Sequence, residues 1–359
     1  MKYEYLFKIK IYLYVLPSES MLYIEGAVTL NDDSISHSLK LKNNCIAYLF
    51  EEIRYEMNGM EIDHTRYTGI TSTMKALASV SPIESNMLLN AGWSNAEEIS
   101  TKSGQFNFCL PLKMLLGFAE DYNKVVFNAK HELILLRSKS DKTVAYSSKD
   151  EEKDKLKLQI NTITWKVPHI QLADFAKLQL FKSIKSGQPI TMAFRTWDCH
   201  LNPTLAQGTN HLWNVKLASQ NERPRFMLIG FLNNDNFVHN SLTNIKVHLN
   251  SESYPYDDLN FKFDSDRYAL LYNMYSKFQQ SYYMKDPQPL LNIYEFKKQP
   301  LIVIDLSHQN ETVKSGPIDV RIEFKTLKNV PENTSAYCLI IHDRIIQYTP
   351  ITGEIRKIM

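Results

Sequence analysis

The sequence predicts a mainly β protein built from two similar β-domains in tandem, with a few short helices. Three observations carry that expectation. The stretch "IRYEMNGMEI" at 53–62 returns as "IKVHLNSESY" at 245–254, the same strand and turn written twice, 192 residues apart. Most apolar runs are short, rich in Val, Ile, Tyr and Phe, and bounded by Asn, Asp, Ser, Pro or Gly, as in the strands of a sandwich or barrel. The length of 359 residues exceeds one ordinary compact core and favours two domains.

Taken in order, residues 1–20 ("MKYEYLFKIKIYLYVLPSES") look like a leader only superficially. Glu4, Lys8 and Lys10 interrupt them, and the pure apolar run is just Ile11–Leu16. They are read as a strand or an arm. A first domain then occupies 21–170, beginning with the strand "MLYIEGAVTL" and the 53–62 hairpin. "GITSTMKALASV" (69–80) follows as a short helix with Ile70, Met74 and Leu77 on one side. Further strands lie in "CLPL" (109–112), "NKVVFNAKHELILLR" (123–137) and "KLKLQINTITWKV" (155–167). The charged stretch 138–155 between the last two has no apolar periodicity and is expected as an exposed loop, solvated on both sides.

A connector helix is predicted within 171–187, with Asp174 as N-cap and Gly187 just past the C-terminus. The second domain, 188–359, repeats the order. "RPRFMLIGFL" precedes the second hairpin, and a helix over "DSDRYALLYNMYSKFQQ" places Tyr268, Leu271, Tyr275 and Phe278 on one face, capped by Asp264 or Ser265. "VIDL" (303–306) then matches "CLPL", "RIEFKTL" (321–327) matches "HELILL" (131–136), and the long strand ending at Pro350 matches the one ending at Pro168.

Composition narrows the function. Hydrophobic residues at 44% with 22% charged ones describe a folded chain, and a net charge of +2 gives no global field to attract nucleic acid or anionic membrane. The four cysteines show no C-x-x-C spacing, which argues against a zinc ribbon or a disulfide framework and for a reducing compartment. No run approaches the roughly 20 apolar residues of a membrane-spanning helix.

Catalytic motifs are scarce. No Gly is followed by Lys, so a P-loop is absent, as are G-x-G-x-x-G, G-x-S-x-G and H-x-H. "HELIL" begins like a zinc-protease helix, but Leu135 stands where the second His belongs and the stretch reads as a strand. "WDCH" sends Asp198, Cys199 and His200 to alternating faces of a strand, which spoils chelation. The expectation is no catalytic, metal or cofactor-binding residue and no small-molecule substrate. The many tyrosines are read as core and interface packing.

The ordered segments "EIRYEMNGMEIDHTRYTGITSTMK", "FNFCLPLKMLLGFAEDYNKVVFNAKHELILLR", "ITWKVPHIQL", "NIKVHLNSESYPYDDLNFKF", "LIVIDLS" and "AYCLIIHDRIIQYTPITGEI" resemble the double jelly-roll major capsid proteins of the tectivirus and adenovirus lineage. The likeness is greatest to those of Polinton or Maverick elements, adintoviruses and virophages, and it spans Met21 to Met359 through order rather than any one motif. The resemblance implies two tandem eight-stranded jelly-roll β-sandwiches and a homotrimer forming pseudo-hexameric, hexon-like capsomers. It also implies a capsid lattice, vertex (penton) and minor capsid protein partners, and a place in the virion of a double-stranded DNA virus or virus-like transposon, assembled in the host nucleus or cytoplasm. The Tyr268, Leu271, Tyr275, Phe278 helix is then a candidate intersubunit element or the end-cap of its own sandwich. Lys2, Lys8, Lys10, Arg356 and Lys357 are candidate weak, non-specific contacts to packaged DNA. The alternatives are a two-sandwich enzyme, a glycan hydrolase or copper monooxygenase, and a host-retained capsid-derived protein.

Overall fold

The computed structural model describes residues 4–9, 14–31, 38–94, 98–100, 104–152, 155–185, 187–215, 223–308 and 318–358. The chain forms a mainly β double jelly roll with a few short helices. Its residues gather into two compact units. One holds residues up to Thr73, Ile83–Thr196 and Arg344 onward, and the other holds Met74–Pro82 and Trp197–Asp343.

In the first unit the hairpin Phe50–Met57 and Met60–Arg66 turns through Asn58 and Gly59, at φ 50° and 80°. Both central residues of such a two-residue turn must be left-handed, which Asn-Gly tolerates best. Ile53, Tyr55 and Met57 alternate inward while Arg54 and Glu56 face out, so one face of the ribbon is apolar. Strand His131–Arg137 pairs with this hairpin, and Glu4–Ile9 pairs with His131–Arg137, giving the order 4–9, 131–137, 50–57, 60–66. A second sheet runs 156–166, 21–30, 105–111, and a small third runs 145–147, 39–42, 98–100. Leu22, Ile24, Ile53, Leu133 and Leu135 from these sheets meet in one apolar core. Each such side chain contributes about 1.5–3 kcal/mol on leaving water.

The second unit repeats the order of the first four-stranded sheet. Its four-stranded sheet runs 210–215, 320–326, 242–249, 252–254. A larger sheet runs 190–202, 334–349, 224–233, with 236–237 and 302–305 both on the far side of 224–233. The pairings expected from sequence therefore occupy equivalent places. "HELILL" and "RIEFKTL" each lie beside the hairpin, "CLPL" and "VIDL" each begin or end an edge strand, and 21–30 corresponds to 224–233. Glu4–Ile9 is the counterpart of Asn210–Val215, a match that the two sequences, EYLFKI and NHLWNV, do not show.

Two helices appear near their expected places, Thr68–Ser79 and Asp174–Lys185. Asp174 is the first helical residue of the second, one position inside the cap expected for it, and Gly187 takes φ 68°. The helix predicted over 264–280 is broken. A 3-10 turn, Phe263–Ser265, ends at left-handed Asp266, and helices Ala269–Ser276 and Phe278–Tyr283 are separated at Lys277. Apolar periodicity survives such breaks because the same face stays inward, so spacing alone does not reveal them. The stretch 138–155 is also not a loop solvated on both sides: Ala145–Ser147 pairs with Leu39–Lys42, and Val144 is buried. Asp141 anchors it, binding Arg137 at 2.5 Å and accepting the Leu158 N–H at 3.0 Å.

Candidate assembly surfaces

Tyr268, Leu271, Tyr275 and Phe278 all turn into the second unit and are buried. Tyr268 stacks on Phe263 with centroids 5.3 Å apart, and Phe278 meets Phe226 edge-on at 5.3 Å. The Tyr275 hydroxyl donates to the Leu77 carbonyl at 2.7 Å and accepts from the Leu291 N–H at 3.2 Å, while burial pushes its pKa up. What this helical region presents to solvent is a different set, Leu270, Met284 and Tyr294. Beneath it, buried Lys75 donates to the Tyr283 hydroxyl at 2.7 Å and to Ser79 Oγ at 3.0 Å. Its ammonium lies 4.3 Å from the Tyr282 ring and 4.8 Å from that of Trp197.

A cavity of about 260 Å³ opens in the same unit, lined chiefly by Phe226, Tyr254, Pro255, Met274, Phe278 and Val303, with Lys277 and Asp305 as its charged groups. Among the described residues that line it there is no His, Cys or Glu. Tyr254 at its wall is tied to Glu252, and its pKa is pushed up to about 12 by burial and by that carboxylate.

Three of the candidate basic residues lie among the described ones. Lys8 on the outer strand pairs with Glu132 at 3.3 Å, where Lys130 also binds at 2.9 Å, and these two ammonium groups hold the Glu132 carboxyl below its usual range. Arg356 pairs with Glu354 at 2.7 Å on a strand of a different sheet, with exposed Lys357 beside it. Lys2 and Lys10 lie outside the described residues.

The two motif fragments fold as strands. His131 of "HELIL" is buried, and its Nδ1 shares a 2.6 Å hydrogen bond with the Tyr55 hydroxyl. In "WDCH", Trp197 and Cys199 point inward while Asp198 and His200 are only partly covered. Among the described residues, no three His, Cys, Asp or Glu side chains are grouped to hold a metal ion, and no helix is long and apolar enough to cross a membrane.

Sequence reading missed a buried polar clamp in the first unit. Asp63, on the hairpin, accepts hydrogen bonds from Thr196 Oγ1 at 2.6 Å, Phe118 N–H at 2.8 Å and His64 N–H at 3.0 Å. Burial pushes its carboxyl pKa up, opposed by the Arg344 guanidinium and these donors. Arg344 also donates to the Ile62 carbonyl at 3.1 Å, and next to Thr196, Arg195 grips Asp121 with two guanidinium nitrogens at 2.8 and 2.6 Å. No spacing rule links residues 63, 196 and 344, so only the fold brings them together.

Comparison with known proteins agrees with this geometry. No curated protein sequence matches the chain. Among solved structures, the chain is similar to the PBCV-1 VP54 structure fitted into a reconstruction of the virophage Sputnik, with a TM-score of 0.62 at 10% identity, covering 100% of this chain and 97% of that one. It is similar to the mavirus major capsid protein, with a TM-score of 0.58 at 11% identity over 99% and 86% of the two chains. It is also similar to the Faustovirus major capsid protein, with a TM-score of 0.55 at 8% identity over 97% and 90%. The model of the double jelly roll-like domain matches residues 39–346, and the chain belongs to that family.

Proposed function

We propose that this chain is a structural major capsid protein, not an enzyme. Three copies form a pseudo-hexameric capsomer, and capsomers tile the shell of an icosahedral double-stranded DNA virus or a virus-like transposon of the Polinton or Maverick kind. The observation that carries this reading is the duplicated sheet order, 4–9, 131–137, 50–57, 60–66 answered by 210–215, 320–326, 242–249, 252–254, in a chain that parallels viral major capsid proteins over nearly its full length. Two like units per chain turn threefold symmetry into six similar corners, which is what hexagonal tiling requires. The partners are then other copies of the chain, vertex and minor capsid proteins, and packaged DNA held non-specifically.

Light scattering and negative-stain microscopy of the purified chain test the proposal. The expected result is particles of threefold the 41.7 kDa chain mass, or larger assemblies with hexagonal outlines. A chain that stays monomeric across concentration and salt would sink it.

A further inference from the structure

Seven strands recur in the same order along the chain, and an eighth does not. Strands 4–9, 21–30, 50–57, 60–66, 105–111, 131–137 and 156–166 answer 210–215, 224–233, 242–249, 252–254, 302–305, 320–326 and 334–349 by their places in the sheets. Ile190–Asn202 has no counterpart among the described strands. It runs beside 334–349, which therefore has a neighbour on each side, whereas Leu156–Lys166 has Met21–Leu30 alone among the described strands.

The backbone groups on that free edge can be assigned. Val28 turns its N–H to the Gly104 carbonyl, away from 156–166, and by the two-residue alternation of an antiparallel ladder Ile24 and Leu22 turn the same way. Ile163 and Trp165, directly opposite Ile24 and Leu22, aim their N–H and C=O groups at the free side. Leu158, opposite Val28, does the same, and there the Asp141 carboxylate accepts its N–H at 3.0 Å. No described strand gives Ile163 and Trp165 a comparable cover.

The core beside this edge also lacks a wall. Side chains directly opposite one another share a face, so Ile163 and Trp165 look inward with Ile24 and Leu22. They are only partly buried, while Ile24 and Leu22 are fully so. In 334–349, flanked on both sides, Cys338, Leu339, Ile340 and Ile341 are all fully buried. The Trp165 indole N–H is shielded from water and has no hydrogen-bond partner among the described residues. Tyr5 and Phe7, on the outer strand of the four-stranded sheet, are likewise partly buried against the same core.

Open backbone groups, an apolar margin and an unmet indole N–H are together satisfied by a β-strand with apolar residues at alternate positions. Ile190–Asn202 is such a strand, with Met192 and Phe194 buried and Thr191 and Ala193 exposed. It lies directly before 210–215 in the sequence, joined to it by residues 203–209. Glu4–Ile9 is the counterpart of 210–215, so the place of the absent strand is ahead of Glu4. Every described strand already has a partner in a sheet, so none of them is spare to fill it.

We infer that the polypeptide ahead of Met1 contributes a further β-strand of about 6–10 residues, which pairs along Ile163 and Trp165 and closes the first sandwich. This strand follows from the sheet order and is independent of the capsid reading.

The test compares the 359-residue chain with the protein captured from its natural source by an antibody raised against that chain. Intact-mass and peptide analysis of the natural protein is expected to show a chain heavier than 41.7 kDa with residues ahead of Met1. Hydrogen exchange at the Ile163 and Trp165 amides is expected to be at least tenfold slower in the natural protein, with alternate amides of the added segment protected as well. A natural chain that starts at Met1 overturns the inference, and protection of Ile163 and Trp165 in such a chain assigns the edge to a second copy or another protein. An added segment that exchanges freely, or equal exchange at Ile163 and Trp165 in the two proteins, overturns it too.

Discussion

Thr196 donates a 2.6 Å hydrogen bond to the buried carboxylate of Asp63, tying a strand from the middle of the sequence to the first hairpin. Phe118 N–H and the Arg344 charge converge on the same carboxyl group, so four separate segments meet at one buried side chain. Removing a single member strands the others in a dry site. Asp63→Ala is therefore expected to destabilise the fold by about 3–5 kcal/mol, the range for breaking a buried ionic cluster. Thr196→Val removes one of the donors and is expected to cost about 1 kcal/mol. Urea titrations followed by tryptophan fluorescence measure both. An Asp63→Ala chain as stable as the parent would show that the cluster is not a point of cohesion.

His131 predicts how the first unit responds to acid. Burial holds its imidazole pKa down to about 4, against 6.5 for an unperturbed histidine. The unfolded chain therefore takes up a proton, as pH falls below about 6.5, that the folded chain refuses. The stabilising contribution is complete above that pH and is lost as pH drops toward 4, by about 3 kcal/mol in all. His131→Phe should flatten stability against pH across this window, apart from a constant offset for the lost Tyr55 hydrogen bond. Equal slopes in the two proteins would mean that the His131 imidazole binds its proton equally in the folded and unfolded chains.

Tyr275→Phe isolates a hydroxyl that serves two backbone groups. Without it the Leu77 carbonyl and the Leu291 N–H both lose a partner in a buried position. The expected loss is about 1–3 kcal/mol, although the ring and its packing are retained. Hydrogen exchange should show faster opening at Leu291 in particular. Unchanged protection there would place a water or another acceptor at that N–H.

Gly69 tests steric closeness. A Cβ at this position would lie 2.2 Å from the Tyr48 ring and 2.8 Å from the Tyr48 Cα, within the range where backbone must move. Gly69→Ala should destabilise by about 1–3 kcal/mol even though alanine is the better helix former. The measurement is a thermal melt of the purified variant, and a rise in melting temperature would contradict the close approach.

Legibility differed between elements for identifiable reasons. The hairpins 50–66 and 242–254 were readable because alternation and turn residues are local signals, and Asn58-Gly59 encodes its turn directly. The short helices Pro82–Met87, Gly117–Asp121 and Ile293–Lys298 were not, because one or two turns are too few to establish a period. Tyr268, Leu271, Tyr275 and Phe278 are all buried, yet the spacing did not show that Lys277 interrupts the helix there. The Asp63 clamp was invisible, since its members are up to 281 residues apart.

By itself, the sequence determined the mainly β character, the duplication and the order of its matching strands, because each is written in patterns of two to ten neighbouring residues. The tertiary structure alone decided that Glu4–Ile9 is the outer strand of the first sheet and that Arg344 onward completes the first unit. Among the described strands, it also decided that Leu156–Lys166 ends its sheet while its counterpart Thr334–Thr349 has a neighbour on each side. Edge and partner are properties of which strands lie side by side, and hydrogen bonding between distant backbones leaves little trace in local residue pattern.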